Sequence, residues 1–410
     1  MSVSPRPAVM GENLKADPEV IQAVQNAMGN NTETAEEKLR EYLEFKSKVP
    51  LNIAITGGSG NGKSSFVNAF RGVDDDDDHA SPTGVKETTM EVKEYPHPNY
   101  PNVIISDLPG IGTTKFPASK YLKLFGFNKF DLFIIISADR FTENDAKLAK
   151  EIDKMKKKFY FVRSKVDVDL QNEQRKKNFS EQKTLAEIRE DCVKSLKQHG
   201  IESQQVFLVS NHHIHLYDFS LLQETLQRDL PDHRKDALLL ASPSIFPGII
   251  EKKKKFFRYQ IWFLTALSSV VAAAPLPGLS VGVDLSLLVG AVTHYVFAFA
   301  LDISSLRRTA ARTGISYDEL IAVLKSQLAA KEITKELITK VILQLPGATK
   351  VIVAEEVSKF IPLVGIPMSM TFSAATTYNL LKLFLDMLAE DAQRISDRII
   401  TDKCRARDML

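Results

Sequence analysis

The segment from Leu51 to Phe70 constrains the fold more than any other part of this chain. Leu51-Asn52-Ile53-Ala54-Ile55-Thr56 alternates and is rich in apolar and β-branched residues, the pattern of a buried strand. It runs into Gly57-Gly58-Ser59-Gly60-Asn61-Gly62-Lys63-Ser64-Ser65, and a helical pattern follows at Phe66, Val67 and Phe70. The loop matches G-x-x-x-x-G-K-[ST] in the strand–loop–helix setting that gives the motif its meaning. Glycines let successive backbone N–H groups turn inward and form an anion nest. The helix N-terminus behind them adds partial positive charge. Lys63 is placed to reach β- and γ-phosphates, and the Ser64 hydroxyl to reach a Mg²⁺ ion. The alternative, a glycine-rich turn with an accidental Lys-Ser, leaves the flanking strand and helix unexplained.

Three further pieces follow in order. Val103-Ile104-Ile105-Ser106 reads as a strand ending in Asp107-Leu108-Pro109-Gly110. Alone this is a common turn signal. After a phosphate loop, Asp107 belongs near the metal shell and the Gly110 amide near the γ-phosphate. Phe159-Tyr160-Phe161-Val162-Arg163 is another strand, followed by Ser164-Lys165-Val166-Asp167. A carboxylate there accepts from the N1–H and exocyclic amine of guanine, a donor pair that adenine lacks, so Asp167 selects GTP over ATP. The Lys165 stem suits the base plane. Val206-Phe207-Leu208-Val209 then leads into Ser210 and Asn211, where a backbone N–H faces the guanine carbonyl.

These pieces resemble the G motifs of Ras-like and dynamin-like GTPases. Lys63-Ser64-Ser65-Phe66, Arg71-Gly72, Asp107-Leu108-Pro109-Gly110-Ile111-Gly112, Phe133-Ile134-Ile135-Ile136-Ser137-Ala138, Phe159-Tyr160-Phe161-Val162-Arg163, Tyr217-Asp218-Phe219 and Asp229-Leu230-Pro231 resemble the interferon-inducible immunity-related GTPases. The pattern is that of the subgroup with Lys in the phosphate loop, and it leans towards the B-type members. The resemblance implies an α/β P-loop Ras-like GTPase domain over 50–231. It also implies an all-α domain built from an N-terminal helical segment, 1–49, and a C-terminal helical domain, 232–410. It implies a GTP-hydrolysing, self-assembling effector of cell-autonomous immunity, with GTP/GDP and Mg²⁺ as ligands. Implied partners are further copies of the chain, other immunity-related GTPases, and intracellular or pathogen-vacuole membranes reached from a cytoplasmic pool. A GTP-switched regulatory binding protein without membrane-remodelling activity is the alternative. A membrane-integral protein with a GTPase head is a third.

The water-positioning group is not evident. Ras-like enzymes carry a Gln shortly after Asp-x-x-Gly. Here Ile111, Gly112, Thr113 and Thr114 occupy that stretch, so an isolated subunit is expected to turn over slowly. The resemblance places Thr83, Glu87 and Thr89 in the nucleotide-facing segment, Thr89 beside Ser64 and Asp107 at the metal and Glu87 at a dimerising, hydrolysis-promoting face. The Asp74–Asp78 run between reads as a solvated, extended loop rather than a metal site.

Composition enters where partners are concerned. Lys plus Arg number 53 and Asp plus Glu 51, a formal net charge of +2, which excludes a strongly polyanion-seeking chain and a nucleic-acid partner. Two cysteines, Cys192 and Cys404, make no disulfide framework and point to a reducing compartment. Residues 1–15 hold no secretory core, and Ser2 excludes the usual myristoylation motif. The averages conceal apolar runs, however. Uncharged stretches cover Tyr259–Val283 and Leu285–Leu301, interrupted by Pro275, Pro277, Gly278 and Asp284. They read as a buried helical bundle, with a reversible membrane hairpin or a stable span as alternatives. Val351 to Ile361 recurs at helical spacing, as a packed amphipathic helix or one lying on a bilayer. Tyr378–Leu388 is a further apolar helix. Cys404 lies between basic residues and reads as a plain thiol, with S-acylation as the alternative. His212, His213 and His215 lack zinc-ligand spacing.

Overall fold

The computed structural model describes residues 49–84, 91–110, 126–201, 205–272, 283–345, 371–372 and 374–408. The expected N-terminal helices, Glu87, Thr89, the Ile111–Thr114 stretch, the Pro275–Gly278 break and the Val351–Ile361 helix lie outside them.

The sheet is assembled from β1 (Leu51–Gly57), β2 (Lys93–Pro96), β3 (Val103–Asp107), β4 (Leu132–Ser137), β5 (Lys158–Arg163) and β6 (Val206–Leu208). Their spatial order is β2-β3-β1-β4-β5-β6, all parallel except β2, which runs antiparallel to β3. Parallel strands covered on both faces need apolar side chains at every position. β4, Leu-Phe-Ile-Ile-Ile-Ser, is accordingly buried along its whole length. Alternate residues feed two cores. Ile53, Ile55, Ile105, Ile134 and Val162 face one, with Phe66, Phe70 and Phe219 packed on them. Ala54, Phe133, Ile135, Phe161 and Leu208 face the other, with Phe127, Phe130 and Phe141.

The connecting helices are α1 (Lys63–Arg71), α2 (Glu143–Lys154), α3 (Val166–Glu173) and α4 (Glu181–Gln198). Two glycines with positive φ bound α1, Gly62 at its start and Gly72 at its end. A capping box starts α2, in which Thr142 Oγ1 accepts from Asp145 N and the Asp145 carboxylate accepts from Thr142 N.

The C-terminal half is helical: α5 (Phe219–Asp229), α6 (Asp232–Ala241), α7 (Pro247–Ala272), α8 (Leu285–Ala298), α9 (Ile303–Thr313), α10 (Tyr317–Ala322), α11 (Lys335–Gln344) and α12 (Ala374–Asp408). A short ladder, β7 (Val283–Asp284) with β8 (Thr371–Phe372), precedes α8 and α12. α6 packs on β1 and β3, while α7 and α8 pack on α12. One continuous apolar core therefore runs from the sheet into the bundle. Of the uncharged run after Asp284, Leu288, Val292, Tyr295, Val296 and Phe299 are buried, as a packed helix requires. The face of α12 carrying Leu381, Phe384, Leu385 and Leu388 is buried too. Trp262 on α7 and Phe297 on α8 remain exposed.

The acidic run departs from expectation. Instead of extending, Asp74–Asp78 folds into hydrogen-bonded turns. Asp74 Oδ1 accepts from Asp76 N at 3.1 Å, Asp77 Oδ1 from His79 N at 2.8 Å, and Asp75 Oδ1 from Asn68 Nδ2 at 2.8 Å. Local acceptor bonds of this kind overcome like-charge repulsion between solvated carboxylates.

Candidate nucleotide site

Every loop singled out by the motifs leaves the same end of the parallel sheet, the carboxyl ends of β1, β3, β5 and β6. Ligands bind there in open α/β sheets. The phosphate loop begins at Gly57, whose φ of 140° only glycine takes readily. A Cβ at Gly57 would stand 2.0 Å from the Ile136 carbonyl oxygen of the adjacent strand. Gly60 and Gly62 hold φ of 77° and 79°, which turn the backbone toward the N-terminus of α1. Asn61 Nδ2 donates to Ile136 O at 3.0 Å and ties the loop to β4.

Lys63 is 7% exposed at the first turn of α1, and its Nζ donates to Gly58 O at 3.0 Å. The ammonium is thus curled inside the loop that it serves. Ser64 Oγ donates to Asp107 Oδ2 at 2.6 Å, across from the end of β3. Asp107 is fully buried, and the same oxygen accepts from Ser81 Oγ at 3.3 Å. A hydroxyl and a carboxylate held this close, beside a phosphate loop, are hard oxygen donors of the kind Mg²⁺ takes. Gly110 lies against the loop, where a Cβ would come 3.1 Å from Ser59 N. Ser65, the next residue of α1, is half-buried.

On the base-recognition side, Lys165 holds φ of 58° at the start of α3, a conformation disfavoured for a side-chain-bearing residue. Its Nζ donates to Gly60 O at 2.8 Å. Asp167 is half-buried on the first turn of α3. Its charge bears on Tyr217, which burial first, and Asp167 second, push up to about 12. Ser210 is buried, and its Oγ accepts from His213 N at 3.2 Å. Asn211 Nδ2 donates to Gly62 O at 3.0 Å, so the last loop is bonded directly to the first.

Thr83 is exposed, and the buried hydroxyl that reaches Asp107 is instead Ser81, two residues earlier. Glu87 and Thr89 fall outside the described residues. The sequence reasoning missed three supporting groups. Ser164 Oγ donates to Asn61 O at 2.7 Å and clamps the phosphate loop from the β5 side. Its position directly before Lys165 was the available signal. Asp218 Oδ2 accepts from Leu208 N and from Arg189 Nη2, both at 2.8 Å, and so pins the end of β6. Arg312 reaches over from α9, with Nη1 donating to Ala69 O at 3.0 Å and Nη2 to Asn211 O at 3.4 Å. Nothing in the local sequence around Arg312 announces that role.

The family model for interferon-inducible GTPases (IIGP) matches residues 17–399. The chain is 39% identical to Interferon-inducible GTPase 5 of Bos taurus, covering 98% of this chain and 88% of that one. It is 37% identical to Interferon-inducible GTPase 1 of Mus musculus, covering 87% of this chain and 84% of that one. Among solved structures, it is similar to the bacterial selenocysteine-specific elongation factor EF-Sec, at 14% identity and a TM-score of 0.31, over 44% of this chain and 28% of that one.

Proposed function

The chain belongs to the interferon-inducible GTPase family and is a guanine-nucleotide-binding GTPase of interferon-induced immunity, and from that premise we propose a self-assembling enzyme recruited to pathogen-vacuole membranes. The observation that supports the enzymatic core is convergence. Lys63, Ser64, Asp107, Lys165 and Asn211 come from four separate loops and are joined by hydrogen bonds through one phosphate loop.

Each group has a role that its geometry supports. The amides of Gly58 to Lys63 surround the nucleotide's phosphates, and Lys63 exchanges its bond to Gly58 O for phosphate oxygens. Asp167 accepts from the guanine edge, with the Lys165 stem across the base. Ser64 and Asp107 would hold Mg²⁺, which when bound neutralises charge on the β- and γ-phosphates. Thr83 and Thr89 would close on the phosphates from the segment before β2. No Gln follows Asp107-Leu108-Pro109-Gly110, so a lone subunit hydrolyses slowly and a second copy, engaged through the face carrying Glu87, accelerates it.

Residence is cytoplasmic, with reversible recruitment to intracellular membranes and association with further family members. Supporting this are the exposed Trp262 and Phe297, both on helices that carry the long uncharged runs. Vesicle co-sedimentation tests recruitment. The chain should pellet with anionic vesicles when loaded with a non-hydrolysable GTP analogue and stay in the supernatant with GDP. Equal partitioning in both states would remove the nucleotide-controlled membrane step.

A further inference from the structure

A cavity of about 90 Å³ lies where the end of α1, the β2–β3 turn and the residues just after Asn211 (His212, Ile214 and His215) meet α6, α7, α9 and α12. It is well above the ~10–15 Å³ that a single water needs. Its wall includes Arg71, His97, Lys253, Arg308 and Arg312, and none of its lining residues is Asp or Glu.

Lys253 is 1% exposed. Its Nζ donates to Ser242 O at 2.7 Å, Ser244 Oγ at 2.9 Å and Ala298 O at 2.6 Å. Three donated bonds call for the ammonium form, yet all three acceptors are neutral. A buried cation without a counter-charge is costly, and burial accordingly pulls Lys253 down to about 7. The cations crowd one another as well. Burial first, then the charges of Lys253, Arg71 and Arg308, press His97 down to about 3.

Two guanidiniums at this wall retain donor capacity. Arg71 uses Nε on Pro96 O at 3.1 Å and Nη1 on His79 O at 3.0 Å. Arg308 uses Nη2 on Ser305 Oγ at 2.8 Å and on Asn99 Oδ1 at 3.3 Å. Each guanidinium carries five N–H groups, so Nη2 of Arg71 and the Nε and Nη1 of Arg308 have no acceptor among the described residues. Carboxylates outside the lining act on residues of the wall: Asp77 bears on Arg71, Asp74 and Asp75 on Arg312, and Asp302 on Tyr100.

We infer that this cavity is a second anion site, separate from the phosphate loop, which takes a phosphate dianion. Arg71 and Arg308 donate to its oxygens, and Lys253 lies behind them with its Nζ held by Ser242 O, Ser244 Oγ and Ala298 O, its charged form favoured once the dianion is bound. Forked guanidinium donors suit phosphate oxygens. The dianion is either free orthophosphate or the phosphomonoester of a lipid headgroup.

The test uses the full chain loaded with a non-hydrolysable GTP analogue and Mg²⁺, so that the phosphate positions of the nucleotide loop are filled. Retention of the analogue is followed separately by fluorescence. Potassium phosphate is titrated calorimetrically at constant ionic strength, and vesicles with and without phosphatidylinositol monophosphate are assayed by sedimentation. Saturable orthophosphate binding, one per chain, assigns the free anion. Binding to the phosphoinositide vesicles alone assigns the headgroup. In either arm Arg308→Gln and Lys253→Met should each weaken binding at least tenfold, with unfolding transitions confirming that both are folded. Arg307→Gln, exposed on the same helix and outside the lining, should leave binding unchanged. Absence of saturable binding in both arms, or wild-type affinity in Arg308→Gln, would overturn the proposal.

Discussion

At the scale of single residues, the proposed nucleotide site rests on Gly57, Asp167 and Ser64. Gly57 combines a φ of 140° with a Cβ position 2.0 Å from the Ile136 carbonyl oxygen. Gly57→Ala must therefore strain the loop or displace β4, and it should destabilise the fold by about 3 kcal/mol or more. Denaturant titration reads this directly, and a change below ~1 kcal/mol would mean that the close approach relaxes freely. At the proposed base contact, Asp167→Asn replaces one acceptor oxygen with a donor. Leaving such groups unmatched costs about 1–3 kcal/mol, so the preference for GTP over ATP should fall roughly 5- to 150-fold. Competition binding with the two nucleotides checks it. These residues were legible because glycine, lysine and aspartate at fixed spacing have few other uses in a strand–loop–helix unit. Ser81 was not legible, because a lone serine two residues before Thr83 carries no pattern. Its bond to Asp107 depends on the path of the turn formed by the acidic run.

At the scale of elements, the sheet was readable because fully buried parallel strands need unbroken apolar runs. β1, β3, β5 and β6 agree with the sequence expectation to within a residue or so at their ends. Bonds made across the chain were hidden. Arg312 on α9 donates both to Ala69 O in α1 and to Asn211 O in the last nucleotide loop, while the Asn211 side chain donates to Gly62 O. Helix, base loop and phosphate loop are thereby linked in series over a sequence separation that no periodicity reports. Arg312→Ala deletes the link and takes the Arg312 donor from Asn211 O, at about 1–3 kcal/mol if water does not replace it, while Ala69 O keeps Gly72 N at 3.3 Å. Nucleotide release should quicken several-fold, as read by stopped-flow with a fluorescent guanine nucleotide. An unchanged release rate would confine Arg312 to packing.

For the whole molecule, the continuous core is the main feature that the sequence concealed. A boundary drawn at residue 231 falls between α5 and α6, and α6 packs on β1 and β3 while sharing that core with the bundle. Composition changes along the chain, but burial does not follow that change, because sheet and helices present equally apolar faces to one another. The average hydropathy likewise hid Leu285–Leu301, which is largely packed inside the bundle rather than displayed. A nucleotide site bonded to helices through Arg312 suits an enzyme whose nucleotide state is felt across the molecule.

The central claim is that GTP hydrolysis at this phosphate loop is driven by assembly. GTP turnover per subunit, measured against protein concentration, tests it most directly. Specific activity should rise with concentration, with Glu87→Ala flattening the rise. Lys63→Ala should lower GTP affinity by roughly 10- to 150-fold, the worth of a hydrogen bond to a charged group at about 1.5–3 kcal/mol. A specific activity that is constant across concentrations, and already high for a lone subunit, would contradict it.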